Sequence, residues 1–126
     1  MSQIPNTVKP ILTLVRFPNL FTSVSNPIAG YLLTLHIIPE TSFNLTVFVA
    51  TAICSASLYA CGMAMNDLVD ADKDKTLNPK RPIPSGSVST GMAKLLLGIL
   101  ALFALSLAWV AGYSVFIGAG NLLLCI

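Results

Sequence analysis

The chain has 126 residues, of which 55% are hydrophobic and 10% charged, with a formal net charge of +2. Soluble domains carry about 25% charged residues, so this sequence has too little charge to cover a soluble fold, and the bilayer is its natural solvent. A cleaved signal peptide does not explain the apolarity, because a polar mature domain would follow it, whereas apolar segments here continue to Ile126.

In chain order, residues 1–15 read as an amphipathic lead-in, with Ile11, Leu12, Leu14 and Val15 against the membrane surface. A first span is expected over about 17–38, long enough to cross a ~30 Å hydrocarbon core. Within it Asn19, Ser23, Asn26 and Gly30 recur at helical spacing and share one face. Polar groups are costly in hydrocarbon, so this face turns inward, either to pack through small residues or to line a cavity. The two asparagines favour a cavity. His36 to Ser42, with Pro39 and Glu40, forms a short outer loop.

The second span, about 43–65, carries Ala50, Cys54, Ser57 and Cys61 on one face, a stripe suited to close helix packing. A polar segment over 66–91 follows. The third span covers about 92–112. From Leu95 to Ile126 there is no charge, and one helix of that length would be about 48 Å long, so the chain should turn around Gly112, Tyr113 and Ser114. A fourth span, 115–126, starts and stops in mid-membrane, as in a truncated chain. The expected architecture is all-α: a multi-pass transmembrane helix bundle of three full spans plus the start of a fourth, forming one domain. Cys54, Cys61 and Cys125 lack the spacing of a zinc site and read as packing residues.

The positions of the charges are informative. Lys9 and Arg16 precede the first apolar run, and Lys73, Lys75, Lys80, Arg81 and Lys94 lie between the second and the third; the connection between the first two holds only Glu40. By the positive-inside rule the N-terminus and the 66–91 segment are cytoplasmic, in a multi-pass protein of the cell membrane.

The segment NDLVDADKD, Asn66 to Asp74, carries the chemistry. On a helix, Asn66, Asp67, Asp70 and Asp74 lie along one stripe and Asp72 points elsewhere. Carboxylates stacked at the C-terminal end of a helix meet the negative end of its dipole and each other, which calls for a cation. Oxygen donors of this kind suit Mg²⁺ or Ca²⁺. An EF-hand loop would need Gly and Glu where Lys75 and Arg81 stand, so that reading fails. Mg²⁺ commonly takes one or two carboxylates and completes its shell with water and phosphate, which makes a stripe facing a diphosphate chemically sensible. Lys80 and Arg81 supply complementary charge, and Pro79, Pro82, Pro84 and Gly86 shape the loop that holds them. Lys73 and Lys75 read as anchors at an anionic leaflet.

NDLVDADKD resembles the N-D-x-x-D-x-x-x-D first aspartate-rich motif of the UbiA superfamily of intramembrane prenyltransferases. RPIPSG, opening at Arg81, and the Arg-x-Pro-Asn element formed by Arg16, Pro18 and Asn19 are similar to further elements of that family. The resemblance implies a nine-helix bundle of which this chain is the N-terminal part. It implies Mg²⁺ held by Asn66, Asp67, Asp70 and Asp74, with Asp67, Asp70 and Asp74 catalytic, and a diphosphate held by Lys80, Arg81, Arg16 and Asn19. The implied reaction is Mg²⁺-dependent transfer of an isoprenyl group from an isoprenyl diphosphate to an aromatic or lipid acceptor. It proceeds by ionisation of the allylic diphosphate in a water-poor cavity. A second aspartate-rich motif would come from a later loop, beyond Ile126. RPIPSG and the approach through Leu58 and Tyr59 look more like the chlorophyll-synthase-like, archaeal lipid-synthase and uncharacterised branches than the hydroxybenzoate branch. The alternative is a non-catalytic relative or an accessory subunit that binds a lipid diphosphate. Membrane lipids are expected around the chain, and no nucleic-acid partner.

The charge distribution predicts that Ser85→Cys, in a background lacking the native cysteines, is labelled by an impermeant maleimide only from the cytoplasmic face. Labelling from the outer face would reverse the topology.

Overall fold

In the computed structural model, which describes residues 8–38 and 42–124, the chain is helical with no strand among the described residues. Pro39, Glu40 and Cys125, named above, lie outside them. Helix α1 (Val8–Leu14) leads through a 3₁₀ turn (Phe17–Asn19) into α2 (Leu20–Ile37); α3 (Leu45–Val69), α4 (Ala71–Leu77), α5 (Thr90–Ala111) and α6 (Tyr113–Leu124) follow. The two long helices begin at side-chain caps. Asn44 accepts a bond from the Val47 amide and Ser89 from the Met92 amide, each at 3.1 Å, satisfying amides that have no partner within the helix. Helix α5 stops at Gly112, whose φ of 132° is open to glycine alone; this is the turn expected within the uncharged stretch.

Among the described residues, α3 and α5 are long and apolar enough to cross a membrane. Helix α2 matches the expected first span in position and carries Thr22, Ser23, Ser25 and Asn26, but it is not among those long and apolar enough to cross. Large apolar side chains point outward, with Phe21, Leu95, Leu102 and Trp109 all at least 64% exposed, while the interior is made of small ones. A surface greasier than its core fits lipid rather than water as the surrounding solvent.

Small residues let the helix backbones approach. The stripe read from the sequence, Ala50, Cys54, Ser57 and Cys61, is buried in full, and α5 meets α3 with Ala93, Ala104 and Ala108. The separation is short enough for the Cys54 thiol to reach the Ala104 carbonyl at 3.3 Å. Helix α2 packs on the same helix, and Pro27 dictates one of the contacts. Proline has no amide hydrogen, so it leaves the carbonyl four residues earlier without its helical partner. That carbonyl belongs to Ser23, and the Ser55 hydroxyl of α3 donates to it at 2.8 Å. At the other end of the pair, the Tyr31 hydroxyl bonds both the amide and the carbonyl of Asn44, and its ring meets Phe43 and Phe48 edge-on.

A second cluster closes the charged end of the bundle: Leu14, Ala64, Ala71, Ile83, Val88 and Ala93 pack together. This corrects the expectation that α1 lays its apolar face on the membrane surface. Leu14 and Val15 are buried in the protein, with Ile11 and Leu12 half-buried. The physical reason is that Ile83 and Val88 of the proline-rich turn, with Ala64, Ala71 and Ala93, present an apolar surface for Leu14. The polar segment is also more ordered than a loop, since helix continues to Val69 and resumes over α4.

Ser55→Ala is expected to leave the Ser23 carbonyl without a partner and to cost about 0.6–1.7 kcal/mol, measured by equilibrium unfolding in mixed micelles. Ser106→Ala, which removes an exposed hydroxyl bonded within its own helix to Leu102, should cost close to nothing. Equal losses would remove the special role of Pro27.

Candidate functional site

The acidic segment straddles an interruption of the helix at Asp70, which ends α3 and precedes α4. The hydrogen-bond register survives it: the Asp70 amide bonds the Asn66 carbonyl and the Asp74 amide bonds the Asp70 carbonyl. Asp67 and Asp74, seven residues apart, therefore stay on nearly one line, two turns at ~100° per residue. Both are buried, at 5% and 4% exposure. Asp70 lies about 60° and Asn66 about 100° around the axis from that line, and both are exposed. Only one edge of the stripe thus faces the protein. Asp72 points away as expected, exposed and paired with Lys75 at 2.7 Å; that hydrogen bond and charge hold its carboxyl below the usual range. The interruption also places Asp72 and Asp74 in the first turn of α4, where the helix dipole favours acids rather than opposing them.

Two buried carboxylates on one line repel each other and resist desolvation unless a cation lies between them. Arg81 is that cation. Its Nη1 meets Asp74 Oδ2 directly and lies 3.4 Å from Asp67 Oδ1. The other Asp74 oxygen accepts from the Asn78 side-chain amide at 2.9 Å. The backbone carrying Arg81 is fixed by bonds from the Arg81 amide to Asn78, from Ser85 to Arg81 and from Val88 to Pro82, while Pro82 and Ile83 are buried. The prolines thus hold the base of a long side chain that stays one-third exposed.

Arg16 approaches from the other side, 4.0 Å from Asp67. Among the described residues it alone, glycines apart, has positive φ (49°), a conformation that costs a non-glycine residue about 1–2 kcal/mol. Such strain gathers where a side chain must be aimed, and here it aims a guanidinium at the buried carboxylate of Asp67. Thr13, Arg16, Asp67, Asn78, Lys80 and Arg81 line a cavity of about 630 Å³. Lys80 is exposed there with no ion pair among the described residues. Asn19 is placed elsewhere. With Ser23 and Asn26 it lines a groove of about 760 Å³ between α2 and α3, completed by Ser55, Leu58, Tyr59, Gly62, Met63 and Leu122. The polar face of α2 therefore lines a cavity, although Gly30 takes no part in it. A smaller hollow of about 340 Å³ shares Pro27, Ser55, Leu58 and Leu122 with the groove.

Among the described residues, no group of three or more His, Cys, Asp or Glu is arranged to hold a metal ion. Asp67 and Asp74 are the carboxylates that converge, with Asp70 and Asn66 on the exposed rim. Sequence reasoning missed Asn78, although it continues the i+4 series through Asn66, Asp70 and Asp74, and it missed Thr13, for which no sequence signal exists.

Residues 27–126 match the UbiA prenyltransferase family. The chain belongs to that family. It is similar to the digeranylgeranylglyceryl phosphate synthase of Ignicoccus hospitalis, 41% identical over 92 residues, covering 72% of this chain and 28% of the relative. It is also similar to the enzyme of that name from Saccharolobus solfataricus, 31% identical with 81% and 34% covered. The 4-hydroxybenzoate octaprenyltransferase of Shewanella halifaxensis is 39% identical, with 51% of this chain and 23% of the relative covered. The chain spans about a third or less of the length of these relatives. No solved structure matches it significantly. Arg16 and Asn19 precede the matched residues; the place of Arg16 in the site rests on the geometry above and on the sequence resemblance, and that of Asn19 on the resemblance alone.

Arg16→Gly relieves the positive φ while removing the charge. Its thermal unfolding midpoint should match or exceed that of the parent, and its affinity for inorganic pyrophosphate should fall about tenfold or more, as for loss of a charge-assisted contact. Unchanged pyrophosphate binding by titration calorimetry would place Arg16 outside the anion site.

Proposed function

We propose that the protein transfers an isoprenyl group from an isoprenyl diphosphate to a lipid acceptor of the glyceryl phosphate type, within the membrane and with Mg²⁺. The observation that carries this reading is a cleft lined by Asp67, Arg16 and Arg81 at the end of a lipid-facing bundle, with Asp74 joined to it through Arg81. One helical turn separates Asp67 from Met63 on α3, and Arg16 from Asn19 at the start of α2, so the charged cleft stands next to the groove. A diphosphate in the cleft can then lay its hydrocarbon tail along Tyr59, Leu58 and Leu122. The names of the Ignicoccus and Saccharolobus relatives, whose product is a glyceryl phosphate bearing two geranylgeranyl groups, support a lipid acceptor. The aromatic acceptor in the name of the Shewanella relative is the second candidate.

The donor set fits Mg²⁺ in kind. Asp67, Asp70 and Asp74 offer carboxylate oxygens and Asn66 an amide oxygen, and two convergent carboxylates are what Mg²⁺ commonly takes from a protein when phosphate and water supply the rest. Bound there, Mg²⁺ would neutralise charge on the departing diphosphate. The chain's own cations act on the same charge. As the allylic carbon–oxygen bond breaks, the electron pair leaves with the diphosphate, where Arg81, Arg16 and Lys80 stabilise it. The acceptor hydroxyl bonds to the allylic carbon and loses its proton. The apolar wall of the groove keeps water from intercepting the cation. The distribution of lysine and arginine supports a cytoplasmic position for this end of the bundle.

The test is an assay of the protein at its full encoded length, with geranylgeranyl diphosphate, Mg²⁺ and both acceptor classes. Asp67→Asn, Asp70→Asn and Asp74→Asn should each lower turnover by roughly 10²–10³, and Asp72→Ala by less than about twofold, given its exposed pairing with Lys75. Turnover that survives Asp74→Asn, or its complete absence with every acceptor, would overturn the assignment.

A further inference from the structure

Arg81 makes two contacts that a simple phosphate-binding role does not require. Its Nη1 bridges Asp67 and Asp74, the same oxygens that a divalent metal would need. A guanidinium and a metal ion cannot occupy that position together, because both are cations at contact distance from the same carboxylates. The surrounding charge sharpens the conflict. Three carboxylates, buried Asp67 and Asp74 and exposed Asp70, stand against Arg16, Lys80 and Arg81, a cluster close to neutral. A divalent cation arriving alone would leave it with two excess positive charges. A trianionic diphosphate arriving with its metal carries one net negative charge and disturbs that balance less.

Geometry lets Arg81 move without the fold moving. The backbone hydrogen bonds around it and the buried Pro82 and Ile83 hold its base, while its side chain remains partly exposed and lines the cleft. Rotation about the side-chain torsions is enough to carry the guanidinium from Asp74 toward the cleft.

Resting on the function proposed above, we infer that Arg81 is an exchangeable counter-ion: it neutralises Asp67 and Asp74 and passes to the incoming diphosphate, so that metal and diphosphate bind as a couple and metal alone is held off. Two consequences follow with opposite signs. Removing the Arg81 charge improves binding of the metal by itself and weakens binding of the diphosphate. A residue that only grips phosphate would change the second and leave the first alone.

The test uses Mn²⁺ as the probe, with binding followed by electron paramagnetic resonance on the protein at its full encoded length in nanodiscs, with and without inorganic pyrophosphate. In the parent protein pyrophosphate should tighten Mn²⁺ binding about tenfold or more. Arg81→Gln should bind Mn²⁺ alone about tenfold more tightly than the parent and lose most of that coupling. Arg81→Lys, which keeps the charge, should stay near the parent for Mn²⁺ alone, and it stands in if Arg81→Gln does not fold. Binding of Mn²⁺ alone that is unchanged or weaker in Arg81→Gln, tighter in Arg81→Lys by as much as expected for Gln, or uncoupled from pyrophosphate in the parent, would overturn the inference. Asp74→Asn separates this from failure of the underlying function. If the parent binds Mn²⁺ with pyrophosphate and Asp74→Asn does not, the metal–diphosphate site stands and only the exchange role of Arg81 is at issue. If Asp74→Asn changes nothing, the site assignment itself falls.

Discussion

The charged end of the molecule depends on one contact, the guanidinium of Arg81 held against two buried carboxylates. Without it, Asp67 and Asp74 would face each other across a poorly solvated gap, where unpaired charge is penalised by several kcal/mol per ion. The contact joins three successive segments: Asp67 lies in the last turn of α3, Asp74 in the first turn of α4, and Arg81 in the proline-rich turn beyond. The apolar cluster beneath, in which Leu14, Ala71, Ile83 and Val88 meet, gives those segments a common floor. Charge pairing above and apolar packing below act on the same backbone, and the cleft is what remains between them.

Deeper in the bundle the organising rule is size. Alanine, serine and cysteine occupy the α3–α5 contact, so the backbones approach closely and thiols come within range of carbonyls on the neighbouring helix. Bulk is exported to the outer surface, where lipid can solvate it. Helix α2 follows a different rule: its polar side chains line a groove, and the groove lies where α2 fails to pack fully on α3. Tight packing on one side of α3 and a gap on the other give a single helix both its support and its cavity.

Much of this was legible in sequence because it rests on periodicity. The buried stripe Ala50–Cys54–Ser57–Cys61, the inward polar face through Asn19, Ser23 and Asn26, the turn at Gly112 and the outward-pointing Asp72 all follow from counting residues per turn. What escaped were choices between partners that periodicity treats as equal. An apolar face on α1 can lie on lipid or on protein, and only the position of Ile83 and Val88 decides it. An arginine near aspartates can pair with them or wait for phosphate, and composition is silent on which. The interruption at Asp70 carried no glycine or proline to announce it. Four oxygen-bearing side chains read as one stripe therefore divide into a buried pair and an exposed rim.

The bond from Ser55 to the Ser23 carbonyl bears on how the protein is made. A ribosome delivers α2 before α3, and at that moment α2 carries an asparagine, several hydroxyls and a carbonyl that Pro27 has deprived of its partner. Such a segment is a poor candidate to leave the translocon for lipid by itself. Its missing donor arrives on the next helix, together with the Asn44 backbone that Tyr31 grips. Paired as a hairpin the two helices satisfy these groups within the protein, which favours their entering the bilayer together over α2 entering alone.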